Sequence, residues 1–449
     1  MDTPASNHQH TPDPRALDRS ILAIAVPSLG ALIAEPLFIL IDSAIVGRLG
    51  TYELAGLGVA STVLTTLVGL CVFLAYATTA AVARHLGADR RTEALRAGID
   101  GLWLAGGLGL LLTALLITTA RPLLSALGAN SEVLNQGVIY LTWSAPGLPG
   151  MLIVMAATGV LRGFQDARTP LWIASAGAIL NAALSATLVW GVGMGIAGSG
   201  LGTAITQILM AVVLAGIVVR RALRENIPIA PARAGILLSM RGGAPLLLRT
   251  LSLRIALLLT VFTATGLGAI SLAGHQVVYS LWGFAAFGLD ALAIAAQTLI
   301  GNRLGASDRD GARTVLRRTL GWGVWGGAVV GGLIVAAGFF AAPVFTADTQ
   351  VQNAIAWAAL IAGITMPITG WVCVLDGVLI GAGDGVYLAK VGVLNLAVYA
   401  PFAIAVHMWA PAGVWGLVWL WGAFAGVFML VRAATTGWRI RDTRWMRVG

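Results

Sequence analysis

Residues Gly159–Asp166 read GVLRGFQD, and 218 positions later Gly377–Asp384 read GVLIGAGD. The same offset of 218 joins Leu54-Ala55-Gly56 to Leu272-Ala273-Gly274, Leu86-Gly87-Ala88 to Leu304-Gly305-Ala306, and Pro27 to Pro245. Isolated matches of Leu, Ala and Gly are common in apolar chains, but one register kept at four separate places marks an internal duplication. The chain reads as two copies of one design.

Hydropathy says what each copy contains. Hydrophobic residues make up 58% of the 449 and charged residues 10%, with a mean hydropathy of +0.87, more apolar surface than a water-soluble core could hide. Twelve apolar stretches can be marked, from Ile21–Ile45 to Val414–Val431. Each is near or above the ~20 residues that cross ~30 Å of hydrocarbon as a helix. They lack the alternation of barrel strands, and backbone groups in lipid must be satisfied within their own segment, so helices remain. Six crossings per copy give both halves the same topology, relate them by an axis along the membrane normal and put a substrate path between them. The expectation is an all-α polytopic membrane protein of two six-helix bundles. Its parts are a tail (1–19), a first lobe (20–222), a linker (223–243), a second lobe (244–433) and a tail (434–449).

The net charge of +9 does not point to nucleic acid, because the basic residues mark topology instead. Of 28 Lys and Arg, 24 fall before helix 1, in the even-to-odd loops or after helix 12, against Arg48 and Arg121 on the other side and Arg249 and Arg254 inside helix 7. That asymmetry places both termini in the cytoplasm of a multi-pass inner-membrane protein. Met1–Arg19 has no signal-peptide pattern and reads as a disordered tail. Trp438 and Trp445, beside the terminal arginines, suit an interfacial anchor. Cys71 and Cys373 read as apolar filler, and no cofactor is expected. The link Arg220–Gly243 is too short for a nucleotide-binding domain, so any work must draw on an ion gradient.

A carboxylate near the bilayer centre costs ~3 kcal/mol or more, which makes each one a functional candidate. Glu35 and Asp42 share a face of helix 1, about 10 Å apart along its axis, and Pro36 between them frees a backbone acceptor and favours a kink. Asn181 and Ser185 stack on one face of helix 5, and Thr203 opens helix 6 after the Gly-rich turn 191–202. All three can reach the depth of Asp42, as a polar cluster or as ordinary helix-packing glue. Position 218 on from Asp42 is Thr260, so the acid belongs to the first lobe alone. Arg254 corresponds to Pro36 and lies near the depth of Glu35, either interacting with it across the cavity or snorkelling to an interface. Asp290 and Asp376, toward the basic ends of helices 8 and 10, read as interhelical or gating hydrogen-bonders. Asp166 and Asp384 suit helix N-caps, and His275, near an outer loop, a structural role.

Together, GALIAEPLFILIDSAIVGRLG in helix 1, LAGLGVA, HLGADRR, NRLGASDR, GVLRGFQDARTP and VLDGVLIGAGD support a family resemblance. From Ile24 to about Val431 the chain resembles the multidrug and toxic compound extrusion (MATE) family, and within it the bacterial DinF-like branch. The resemblance implies two lobes in a V around a cavity that alternates between faces, exporting small organic, cationic or amphipathic compounds in exchange for H⁺ or Na⁺. It further implies that Asp42, Asn181 and Thr203 form the cation-responsive site, and that Na⁺ would bind there if it is the coupling ion. Some members carry a second Asp where this chain has Ser185. Losing that charge weakens Na⁺ binding more than protonation and favours H⁺. Glu35, Pro36, Arg254, Asp290 and Asp376 are left to the substrate cavity or its gates, and the expected partners are membrane lipids and substrate, with the chain a monomer. The rival readings are a lipid-linked saccharide flippase of the same superfamily and, from another class, an integral membrane transferase. The first often has fourteen helices and a more cationic cavity, and the second wants clustered His, Asp or Glu at one interface.

Overall fold

The computed structural model describes residues 14–128 and 130–448, so most of the N-terminal tail lies outside the described residues. The first lobe holds α1 (Arg15–Val46), α2 (Thr51–Gly87), α3 (Arg91–Ala126), α4 (Ser131–Gly163), α5 (Arg168–Gly191) and α6 (Ile196–Arg224). The second holds α7 (Arg233–Gly266), α8 (Ala269–Gly305), α9 (Arg309–Phe345), α10 (Thr349–Gly381), α11 (Gly385–Trp409) and α12 (Val414–Arg439). All twelve are long and apolar enough to cross a membrane. Helix α1 continues through Pro27 and Pro36, and α4 tightens into a 3₁₀ turn at Ala145–Gly147, around Pro146.

The duplicated motifs are where helices touch. A Cβ on Gly159 would sit 2.5 Å from the Ala75 carbonyl, and one on Gly377 2.2 Å from that of Ala293, itself 218 positions after Ala75. Glycine there lets α4 lie on α2, and α10 on α8, at backbone contact. The second motif joins the lobes. A Cβ on Gly87 would meet the Asn302 carbonyl at 1.9 Å, and one on Gly305 the Arg84 carbonyl at 2.0 Å, with Arg84 and Asn302 again 218 apart. This reciprocal contact is what a two-fold axis produces.

The lobes are tied on the face that carries both described ends of the chain. Asp18 accepts hydrogen bonds from Arg318 and from Trp322 Nε1 (2.8 Å), Gln297 Nε2 donates to the Tyr76 carbonyl (2.7 Å), and Arg84 donates to the Ala382 carbonyl (2.6 Å). Among the described residues, no hydrogen bond joins the lobes in their opposite halves.

The ends of the chain depart from expectation. Arg15–Arg19, read as tail, already belong to α1, and Asp18 is one of the ties. Trp445 is fully buried in the core, so only Trp438, 69% exposed, stands on the surface as an anchor would. Thr203 lies two turns into α6, because residues 196–202, read as part of a turn, are helical.

Candidate functional site

Asp42 is 4% exposed near the end of α1, with α5 and α6 supplying its partners. A Cβ on Gly202 would lie 3.0 Å from the Ser185 backbone nitrogen, so the glycine brings α6 close to α5 and sets Thr203 beside Asp42. Ser185 Oγ donates to Asp42 Oδ1 (3.0 Å) and Thr203 Oγ1 to Asp42 Oδ2 (3.0 Å). Asn181 Nδ2 donates to Thr203 Oγ1 (3.3 Å), while Asn181 Oδ1 is buried without a donor. The four residues that sequence placed at one depth thus form one connected cluster. It has more acceptors than donors, and a proton or a cation would correct that imbalance. Asp42 has no salt-bridge partner among the described residues, so its charge rests on hydroxyl dipoles alone.

The cluster opens into a cavity of about 180 Å³ within the first lobe. Glu35, Ser61, Tyr140 and Gln207 add polar groups to a wall dominated by apolar side chains, including Met151, Met155 and Met210. Sequence reasoning missed Ser61, Tyr140 and Gln207. Gln207 was within reach, being one turn after Thr203 on the same face, whereas nothing local marks Tyr140.

Glu35 lines the first-lobe cavity and Arg254 is exposed on α7, and the two form no salt bridge in this arrangement. The Arg254 guanidinium instead reaches across from α7 to α2, where a Cβ on Gly69 would lie 2.5 Å from Nη2.

In the second lobe, Asp376 accepts hydrogen bonds from Arg249 of α7 and from Arg432 Nη2 of α12 (2.5 Å). Arg432 was counted among the basic residues just after helix 12, yet it is 9% exposed inside the bundle. The positions 218 earlier are Ala31, Thr158 and Leu214, so this charged trio has no first-lobe counterpart. Asp290 makes no salt bridge of its own among the described residues, but it lies close enough to feel the charges of Arg249, Asp376 and Arg432. Asp166 accepts from the Thr169 backbone N–H (3.1 Å) as a helix-start residue should. Asp384 does not cap; Arg439 (2.6 Å) and Arg447 (3.5 Å) occupy its carboxylate and tie the C-terminal segment to the α10–α11 turn.

The duplication also shows what replaces the first-lobe cluster. At 218 positions beyond Asp42, Asn181, Thr203 and Ser61 stand Thr260, Tyr399, Trp421 and Tyr279. Thr260 and Tyr399 share a hydrogen bond of 2.6 Å, and Trp421 and Tyr279 pack around His275, which is 1% exposed. An aromatic core fills the space that is polar in the first lobe.

A family model described as MatE matches the chain twice, over residues 27–187 and 245–408, with starting points 218 apart. Protein DETOXIFICATION 44, chloroplastic, of Arabidopsis thaliana is 30% identical over an alignment covering 97% of this chain and 84% of that protein. DNA damage-inducible protein F of Escherichia coli (strain K12) is 29% identical, with 81% of each chain covered. A MATE crystal structure in complex with MaL6 superposes with a TM-score of 0.84 at 20% identity, covering 96% of both chains.

Proposed function

The chain belongs to the MatE family of membrane transporters, and from that premise we propose that it exports amphipathic, chiefly cationic, organic compounds in exchange for protons taken up at Asp42. The observation that carries this reading is a buried carboxylate, held only by hydroxyls, beside an unfilled acceptor and at the wall of a cavity. Protonation removes a charge that is costly in the membrane and turns one carboxyl oxygen into a donor that Asn181 Oδ1 can accept. The hydroxyls of Ser185 and Thr203 then lose part of their hold, and α1 is free to repack against α5 and α6. Re-ionisation restores the present arrangement. Exporting a monovalent cation against the membrane potential costs ~2.3 kcal/mol per 100 mV, and exchange for one H⁺ cancels that charge movement.

With the arginine-rich face in the cytoplasm, the side that the charge asymmetry favours, the inter-lobe hydrogen bonds of the described residues lie on the inner side. This is the state in which substrate leaves and a proton arrives. Glu35 and Arg254 approach each other as the outer cleft narrows, and Asp290 works at the inner closure. The test uses purified protein in proteoliposomes, with H⁺ and Na⁺ gradients imposed separately on a panel of cationic dyes. A proton gradient alone should drive uptake or release, and Asp42→Asn should abolish it in folded protein. Undiminished flux in Asp42→Asn, or drive by Na⁺ alone, would overturn the proposal.

A further inference from the structure

A second cavity, of about 820 Å³, is larger than the first and takes no part in the site above. It lies between the lobes, walled by α2, α3, the 225–232 linker, the start of α7 and the turn before α11. The linker is strapped over it. Arg96 donates to the Pro228 (2.5 Å) and Ala230 (2.8 Å) carbonyls, and Trp103 Nε1 to that of Ile229 (2.9 Å). One lip is Leu238, 70% exposed near the start of α7.

Its lining is graded along the membrane normal. On α2 it runs from Phe73 and Leu74 to Arg84 and His85, on α3 from Leu104 to Arg96, and on α7 from Leu246 to Arg241. In each case the apolar end is deep and the charged end is at the arginine-rich face. The α2 stretch covers ~16 Å at 1.5 Å per residue. That is about half of the ~30 Å hydrocarbon thickness, which is the depth of one leaflet. Three guanidinium groups and two carboxylates line the charged end, and Asp100 is already neutralised by Arg96 (3.1 Å) and the Ala232 backbone N–H (3.3 Å). Arg241 makes no salt bridge among the described residues, and His85 Nδ1 is buried without a partner. Glu93, at the exposed mouth, is the one carboxylate set against them.

We propose that this groove binds one anionic phospholipid from the leaflet on the arginine-rich side. Its phosphodiester lies beside Arg241 and His85, with the charge of Arg84, whose guanidinium donates to the Ala382 and Arg447 carbonyls, close by, and an acyl chain runs inward along Leu246, Leu104 and Phe73. A lipid matches both the length and the direction of the polarity gradient, which a soluble anion or a purely apolar molecule would not. Because the walls come from both lobes and the linker, an occupant braces them in the present arrangement.

The experiment is native mass spectrometry of the detergent-purified full chain, titrated with phosphatidylglycerol, with phosphatidylcholine of the same chains, and with inorganic phosphate. Phosphatidylglycerol should be retained about tenfold more than phosphatidylcholine, and phosphate should not displace it. Gly242 lines the groove and a Cβ on it would have nothing within 4 Å, so Gly242→Phe should project its ring into the groove and cut retention about tenfold, and Arg241→Gln about threefold. Unchanged melting temperatures would show that both variants remain folded. Equal retention of the two lipids would overturn the headgroup assignment, displacement by phosphate the role of the acyl chain, and full retention by Gly242→Phe the location. Binding is read without any gradient, so Asp42→Asn should retain lipid like the wild type whether or not the transport reading survives.

Discussion

The two lobes share a backbone plan and differ in where they keep charge. The first holds the buried Asp42 on hydroxyl partners beside a cavity, and leaves the depth of Asp376 to the uncharged Thr158. The second plugs the position of Asp42 with Thr260, Tyr399 and Trp421, and carries a closed Arg249–Asp376–Arg432 cluster nearer the arginine-rich face. A carboxylate gripped by two guanidiniums is hard to protonate and rigid, whereas one held by hydroxyls can change state. Gene duplication supplied one scaffold, and side chains have turned one copy into a switch and the other into a fixed body.

That contrast can be broken most forcefully in the second lobe. Asp376→Ala strands two buried guanidiniums and should cost about 3–5 kcal/mol of stability. Thr158→Ala at the matching first-lobe position should cost only about 1 kcal/mol, since a half-buried side chain loses one hydroxyl and one methyl and strands no charge. Thermal unfolding in detergent compares the two, and equal melting would mean that the cluster is not a structural clamp. Next in size is Asp42→Asn, for which proton-driven efflux should fall at least ~30-fold, a barrier change of about 2 kcal/mol. The protein itself should melt no lower, because a buried charge has been removed. Thr260→Val should leave efflux within about twofold of wild type, and a larger loss would show that both lobes couple.

Smaller effects sharpen the picture. Thr203→Val leaves Asp42 Oδ2 without its donor, which should cost about 1–3 kcal/mol in favour of the protonated form. The pH at which efflux is half-maximal should then rise, because the acid gives up its proton less readily; a fall would contradict the hydrogen-bond assignment. Tyr399→Phe removes only the bond to Thr260 and should cost about 1 kcal/mol with no shift in the pH profile. A shifted profile would mean that the aromatic plug also senses protons.

Much of this was legible in the chain itself. Length and polarity of the apolar runs dictated twelve helices, because lipid offers a backbone no other partner. The constant offset dictated two like lobes, and the rarity of acids in apolar runs singled out Asp42, Glu35, Asp290 and Asp376. Helical periodicity even put Asn181 and Ser185 on one face, since four residues make about one turn. Only tertiary structure decided which groups meet. Arg432 reads locally as a basic residue just past the last apolar run, and becomes the partner of Asp376 because α12 continues and folds that residue inward. Tyr140 joins the Asp42 cavity, and Trp445 the core, through contacts between segments far apart in sequence, which no local pattern encodes. A helix's own spacing fixes which side chains share a face, and the packing of its neighbours fixes what that face will touch.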